Sequence, residues 1–145
     1  MLRERWDLLI VISAGGALGS LARWGVTGLL PHDVVGFPWN TFVENVSGAL
    51  LIGVLMALMV DLLSTTRYIR PFVGVGLLGG YTTFSTYMLD AHALLRAGRP
   101  ATVLGYLAGT LAAGLVAAWA GIILGRLAVV TAASRSRRAR RGEGA

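Results

Sequence analysis

The 145-residue chain is 55% hydrophobic and only 14% charged, with a mean hydropathy of +0.69, where a soluble domain carries about a quarter charged residues. It has no cysteine, which excludes disulfides, thiol catalysis and thiolate metal sites, and no lysine, so its basic side chains apart from two histidines are arginines. The net charge of +6 does not indicate a nucleic-acid partner, because Arg135, Arg137, Arg138, Arg140 and Arg141 supply most of the excess from a short tail; the lipid bilayer is the expected surroundings.

A membrane helix needs about 20 apolar residues to cross roughly 30 Å of hydrocarbon. Four stretches meet this: residues 8–30, 41–60, 72–95 and 101–125. The first is too long for the apolar part of a signal peptide and carries Arg23 well inside, so it is expected to be a retained helix. The connections are short: 31–40 with two prolines and a glycine, 61–71 with Arg67 and Arg70, and a tight turn at 96–100. Residues 1–133 thus form one membrane domain, followed by a basic tail, 134–145, expected to be disordered. A basic run after a membrane helix acts as a topology signal or a contact for anionic headgroups. Glycines recur in the spans, at 15, 16, 19, 25 and 28, at 48 and 53, and at 105, 109, 114, 121 and 125. Gly16 to Ser20 and Gly105 to Gly109 suit close helix packing within a bundle or across a subunit boundary.

Polar groups at membrane depth are costly unless paired and often mark a path for ions. In chain order they are Arg23, then Asn45 with Thr41, Glu44 and Ser47, then the run 82–86, then Tyr106 with Thr110, then Trp119. Arg23 lies near enough to the end of its span to snorkel; alternatively it draws an anion into a vestibule. Thr41 and Asn45, four apart, share a helical face. Asn45 offers amide donors, or serves as interhelical glue. Glu44, next to it, points elsewhere. Gly79-Gly80 is the weakest point of the third span for helix continuity. A break there would free backbone groups that only protein or a bound ion can satisfy; back-bonding of the hydroxyls to the preceding turn is the plainer account. Phe84 and Tyr87 lie on one face and can offer positive ring edges, or simply pack. Tyr106 and Thr110 make a second hydroxyl stripe that Gly114 continues without a side chain. No carboxylate stands at Glu-x-x-His spacing. Neutral N–H and O–H donors with aromatic edges suit a small, hard anion held weakly enough to leave, as conduction requires.

Three segments, GGALGSLAR at 15–23, TFVENVSG at 41–48 and GLLGGYTTFST at 76–86, resemble in order and spacing the signature motifs of the Fluc/CrcB fluoride channels. The resemblance covers roughly residues 8–125. It implies an all-α membrane protein of four transmembrane helices, the third broken near Gly79–Thr82, assembled as an antiparallel dual-topology dimer with two pores. It implies a channel that exports fluoride passively and protects the cytoplasm, where hydrogen fluoride that has entered as the neutral acid dissociates. The expected location is the cytoplasmic membrane of a prokaryote. By resemblance, Asn45 presents an amide donor, Phe84 and Tyr87 present ring edges, and Thr83, Ser85, Tyr106 and Thr110 supply hydroxyls, with Arg23 at the vestibule. A structural sodium ion is implied at the dimer axis, held by backbone carbonyls of Gly79 and Thr82 from both subunits.

The chain departs from the family pattern at Tyr87, where a second phenylalanine is usual, and at Gly114, where a hydroxyl is common. Trp39 stands near a position that is usually small, and Glu44 replaces an apolar residue. With cytoplasmic termini, ten arginines lie inside against Arg96 and Arg99 outside, a bias toward that orientation. Two assemblies follow: an antiparallel homodimer, or a heterodimer with an inverted homologue. The main rival is a small multidrug-resistance-type dual-topology transporter, a class that relies on a first-helix glutamate where this chain has Arg23. A non-transporting assembly subunit would explain the glycines but not the hydroxyl run. An enzyme is not expected, for want of a nucleophile paired with a histidine.

Overall fold

A computed structural model describes residues 3–30, 36–61 and 67–142, all-helical with no strand among the described residues. The helices are α1 (Arg3–Leu29), α2 (Trp39–Asp61), a wide π-helical α3 (Arg70–Leu77) that runs directly into α4 (Leu78–Tyr81), α5 (Phe84–Arg96) and α6 (Pro100–Gly142). Parts of two predicted connections, 31–35 and 62–66, lie outside the described residues.

Local chemistry sets the boundaries. Pro38 ends the approach to α2, and its carbonyl accepts from Phe42 N–H at 3.0 Å, opening the helix. Pro71 lies in the first turn of α3, where its missing N–H costs nothing. The reversal between α5 and α6 is closed by two bonds: Arg99 N–H to Leu94 O and Gly98 N–H to Leu95 O, both 3.0 Å. Gly98 supplies the left-handed backbone this requires, with φ 71°, and Pro100 then starts α6.

Three helices carry stretches long and apolar enough to cross a membrane: Trp6–Leu29, Trp39–Met59 and Pro100–Thr131. The third predicted span does not form one such helix. Its pieces have eight, four and 13 residues, and at about 1.5 Å per residue none reaches across about 30 Å of hydrocarbon alone. α6, by contrast, runs 43 residues. The helical backbone continues through 134–142, where composition alone leads one to expect disorder; arginine and alanine are good helix formers, and extending an existing helix avoids nucleation.

The helices pack in two backbone-close pairs. A Cβ on Gly15 or Gly19 of α1 would strike the backbone of α3 and α4 at Phe72, Leu77 and Tyr81, and one on Gly76 or Gly80 would strike α1 at Ile12 and Gly16. In the second pair, Gly53 of α2 lies against Ala118, and Gly121 of α6 lies against Leu50 and Val54. Glycines four apart let backbones approach and gain dispersion contacts where lipid offers no hydrophobic drive. Gly105 and Gly109 differ: space beside them is open within 4 Å, so this stripe serves no packing inside the subunit. The buried apolar core is small, Ala57, Leu78, Ala91, Leu94 and Tyr106, while Trp24, Leu29, Leu104 and Leu111 stand exposed, as lipid-facing side chains do.

Candidate functional site

The site is built around a two-residue gap in the helix. α4 ends at Tyr81; Thr82 (φ −81°, ψ 155°) and Thr83 (φ −145°, ψ 120°) are extended, and α5 starts at Phe84. Asn45 of α2 lies across the gap. Its Nδ2 donates to Thr83 O at 3.0 Å, and its Oδ1 accepts from Thr83 N–H at 2.9 Å. The side-chain amide thus pairs with the peptide as a neighbouring strand would. One N–H of Asn45 remains beyond this clamp.

Hydroxyls complete the gap. Thr83 Oγ1 caps α5 by accepting from Thr86 N–H at 3.1 Å, and donates to Thr86 Oγ1 at 3.0 Å. Its own proton being spent, Ser85 Oγ donates to it at 3.2 Å. Thr82 Oγ1 back-bonds to Leu78 O at 2.9 Å, and its methyl fills the space that a Cβ on Gly48 would need. Ser47 gives its proton to Val43 O at 2.6 Å and accepts from the Tyr81 hydroxyl at 2.8 Å.

The gap takes the helical donors from four carbonyls, those of Gly79, Gly80, Tyr81 and Thr82. In a continuous helix Thr83 N–H would serve Gly79 O, and Thr86 N–H would serve Thr82 O; both are diverted, to Asn45 and to Thr83 Oγ1. Gly79 is exposed, with open space beside its Cα. Two neutral carbonyl oxygens at a helix interruption fit a hard monovalent cation, so the donor chemistry of Gly79 and Thr82 is compatible with the expected metal site.

A groove of about 500 Å³ runs beside the gap, and Asn45, Thr82, Thr83, Phe84, Tyr87 and Thr110 are among its lining residues. No charged side chain lines it. Phe84 and Tyr87 stand 6.0 Å apart between ring centroids, tilted by 48°. Phe84 is 76% exposed in the single chain. The Tyr87 hydroxyl donates to Leu107 O at 2.7 Å, so it adds no spare donor to the groove. Thr110 Oγ1 is buried and has no hydrogen-bond partner.

Other expected residues lie apart. Ser85 is exposed beyond the groove lining, bound to Thr83. Tyr106 is fully buried (0% exposed), and its hydroxyl donates to Asp90 Oδ2 at 3.2 Å rather than entering the groove. Arg23 lines a second cavity, about 260 Å³, with Ser20, Thr27, Asn40, Glu44 and Thr86. Trp119 is exposed and takes no part.

Asp90 is the residue that sequence reasoning missed. It is buried in α5 and accepts from Thr41 Oγ1 at 2.6 Å as well as from Tyr106. Its signal was present: a carboxylate three residues after Tyr87, on the same helical face, inside an apolar stretch. Glu44, which the sequence leaves unplaced, is buried and accepts from Thr27 Oγ1 at 2.6 Å.

Comparison with known proteins matches residues 10–122 to the family described as CrcB-like protein, Camphor Resistance (CrcB). The chain is 48% identical over 131 residues to the fluoride-specific ion channel FluC 2 of Nocardia farcinica, covering 90% of this chain and 91% of the relative. It is 45% identical over 113 residues to FluC 2 of Streptomyces avermitilis, covering 75% and 72%. To the fluoride-specific ion channel FluC of Paracoccus denitrificans it is 42% identical over 115 residues, covering 79% and 91%.

Proposed function

The chain belongs to the CrcB-like family, a family of ion channels rather than enzymes, and on that premise we propose that it is a fluoride-selective channel of a prokaryotic cytoplasmic membrane. Fluoride leaves passively down its electrochemical gradient, lowering its cytoplasmic level.

The observation that carries this reading is the groove beside the gap, whose largely apolar, uncharged lining includes Asn45, Thr83, Phe84, Tyr87 and Thr110, the last with a buried hydroxyl that has no partner. A buried hydroxyl left unpaired costs about 1–3 kcal/mol. A dehydrated anion beside it would recover that cost, and neutral donors would release the anion again. The spare N–H of Asn45 and the edges of Phe84 and Tyr87 extend the same chemistry along the groove.

In this reading α3, α4 and α5 together make the third of four spans, broken at the gap. Two copies pack antiparallel, the exposed Phe84 and Gly79 meeting the second copy, with two pores per dimer. A heterodimer with an inverted homologue is the other assembly. Gly79 and Thr82 would hold sodium by their backbone carbonyls, a positive charge that would neutralise the oxygens exposed by the gap. Around it, this chain's own groups hold the gap open: Asn45 clamps Thr83, and Thr83 caps α5.

The test is electrogenic fluoride efflux from proteoliposomes of the purified protein. Wild-type vesicles are expected to empty, and Thr110→Val and Phe84→Ile to slow release while the dimer persists. Vesicles that retain fluoride overturn the reading; proton-coupled uptake of a lipophilic cation instead would establish the multidrug-transporter alternative.

A further inference from the structure

Glu44 lies within the membrane-capable stretch of α2, and an ionisable group inside a membrane span is a functional candidate by default. It is 1% exposed and held by Thr27, whose hydroxyl donates to Oε1 at 2.6 Å. With Arg23, Trp24, Ser20, Asn40 and Thr86 it lines the smaller, open cavity. Nothing in the pore reading uses this carboxylate.

That cavity adjoins the groove. Thr86 lines the cavity and Thr83 lines the groove, and Thr83 Oγ1 donates to Thr86 Oγ1 at 3.0 Å. On α2, successive residues divide between the two spaces, Glu44 in the cavity and Asn45 in the groove.

The charges around Glu44 are few. Among the described residues, Arg23 of α1 and Asp90 of α5 are the ions whose fields reach it, and Tyr106 of α6 donates its hydroxyl to Asp90. With Glu44 ionised, its charge cancels that of Arg23, and Asp90 adds a second negative field. With Glu44 protonated, Arg23 is opposed only by Asp90, whose carboxylate is itself held by the hydroxyls of Thr41 and Tyr106, and Ser20 and Thr86 line the cavity beside Arg23. The first state repels a small anion, and the second binds one.

We propose that this cavity is an anion-binding mouth of the fluoride path, and that a proton on Glu44 controls its occupancy. The inference rests on the channel reading and adds regulation to it. Proton and anion promote one another's binding by linkage. Conduction therefore rises in acid, the condition under which neutral hydrogen fluoride crosses membranes most readily.

The experiment is fluoride current across planar bilayers holding the full-length protein, an electrical readout blind to the neutral acid. Current is recorded at symmetrical pH from about 8 down to about 4, a range that spans the ordinary carboxylate value. Wild-type current is expected to rise roughly tenfold, the effect of one unit charge at about 10 Å through an effective dielectric of about 25. Glu44→Gln, which keeps the size and an acceptor for Thr27, is expected to conduct at the acid-side level throughout. Glu44→Asp is expected to restore pH dependence, which a purely structural role would not require. Should Glu44→Gln fail to assemble, Arg23→Gln decides, with current expected to lie below wild type at every pH while its rise in acid remains. A wild-type current indifferent to pH, a Glu44→Gln profile like wild type, or an Arg23→Gln current equal to wild type overturns the inference. No wild-type current at any pH overturns the channel reading itself.

Discussion

At the residue scale, the decisive fact is how few of the polar groups near the gap are spare. Asn45 is committed to Thr83 through both ends of its amide, Tyr87 to Leu107, and Tyr106 to Asp90. The Thr110 hydroxyl and the second N–H of Asn45 are the exceptions. Thr110→Val removes a buried hydroxyl that bonds to nothing in the protein, so stability should hold or rise, by up to about 1–3 kcal/mol, the desolvation cost relieved. Fluoride flux should fall roughly tenfold, the worth of one hydrogen bond to a charged group. Thermal unfolding in detergent beside vesicle efflux separates the two effects. Asn45→Asp behaves differently. It replaces the N–H that Thr83 O accepts with an anionic oxygen facing a carbonyl, and should cost about 2–3 kcal/mol, read as a lower midpoint in the same unfolding assay. Residue types were legible in the sequence because donors and rings are rare in this chain. Their partners were not, since which hydroxyl meets which acceptor depends on contacts between helices. Asp90 was legible as a carboxylate inside an apolar stretch; its partners Thr41 and Tyr106, from α2 and α6, were not.

At the element scale, Gly79-Gly80 marked the region of the break, but the gap itself falls at Thr82 and Thr83. Glycine lowers the cost of leaving a helix; it does not choose the residue at which the chain leaves. That choice is made where a partner waits, and Asn45 meets Thr83. Gly80 has instead a packing duty, its missing Cβ making room for the backbone of Gly16. Gly80→Val should push α1 and α4 apart and cost about 1–3 kcal/mol or more, seen as lost thermal stability in detergent. Gly105→Val, beside open space, should leave the fold of the subunit unchanged in the same measurement. Both pairs of glycines read alike in the sequence, because a spacing of four defines a face but not what that face touches.

At the scale of the whole molecule, one chain is incomplete as a membrane unit. Phe84, Met88 and Leu89 of α5, on the segment that carries the gap, are exposed, and space beside Gly79, ahead of the gap, is open. The natural chain has no cysteine, so Gly79→Cys gives a single reporter. If two copies meet at Gly79 on a shared axis, mild oxidation in vesicles should yield a disulfide-linked dimer on a non-reducing gel, since the bond forms only when Cα atoms lie within about 7 Å. Monomer alone would contradict the shared axis. Orientation is a separate matter. The excess of arginine on one set of loops and the tail predicts cytoplasmic termini; a C-terminal reporter found equally on both sides of the membrane would contradict a fixed orientation.

Composition and the spacing of apolar runs determined by themselves that this is a helical membrane protein, because about 20 apolar residues per crossing is a demand of bilayer thickness rather than of any fold. The order of three motifs likewise determined its family. Only the tertiary structure decided where the third span opens, that Asn45 clamps Thr83, that Asp90 belongs with Thr41 and Tyr106, and that Glu44 shares a cavity with Arg23. Each of these is a contact between segments far apart in the chain. Inside a membrane a polar group must find its partner within the protein, so the partner's position, which no local pattern encodes, decides what the group does.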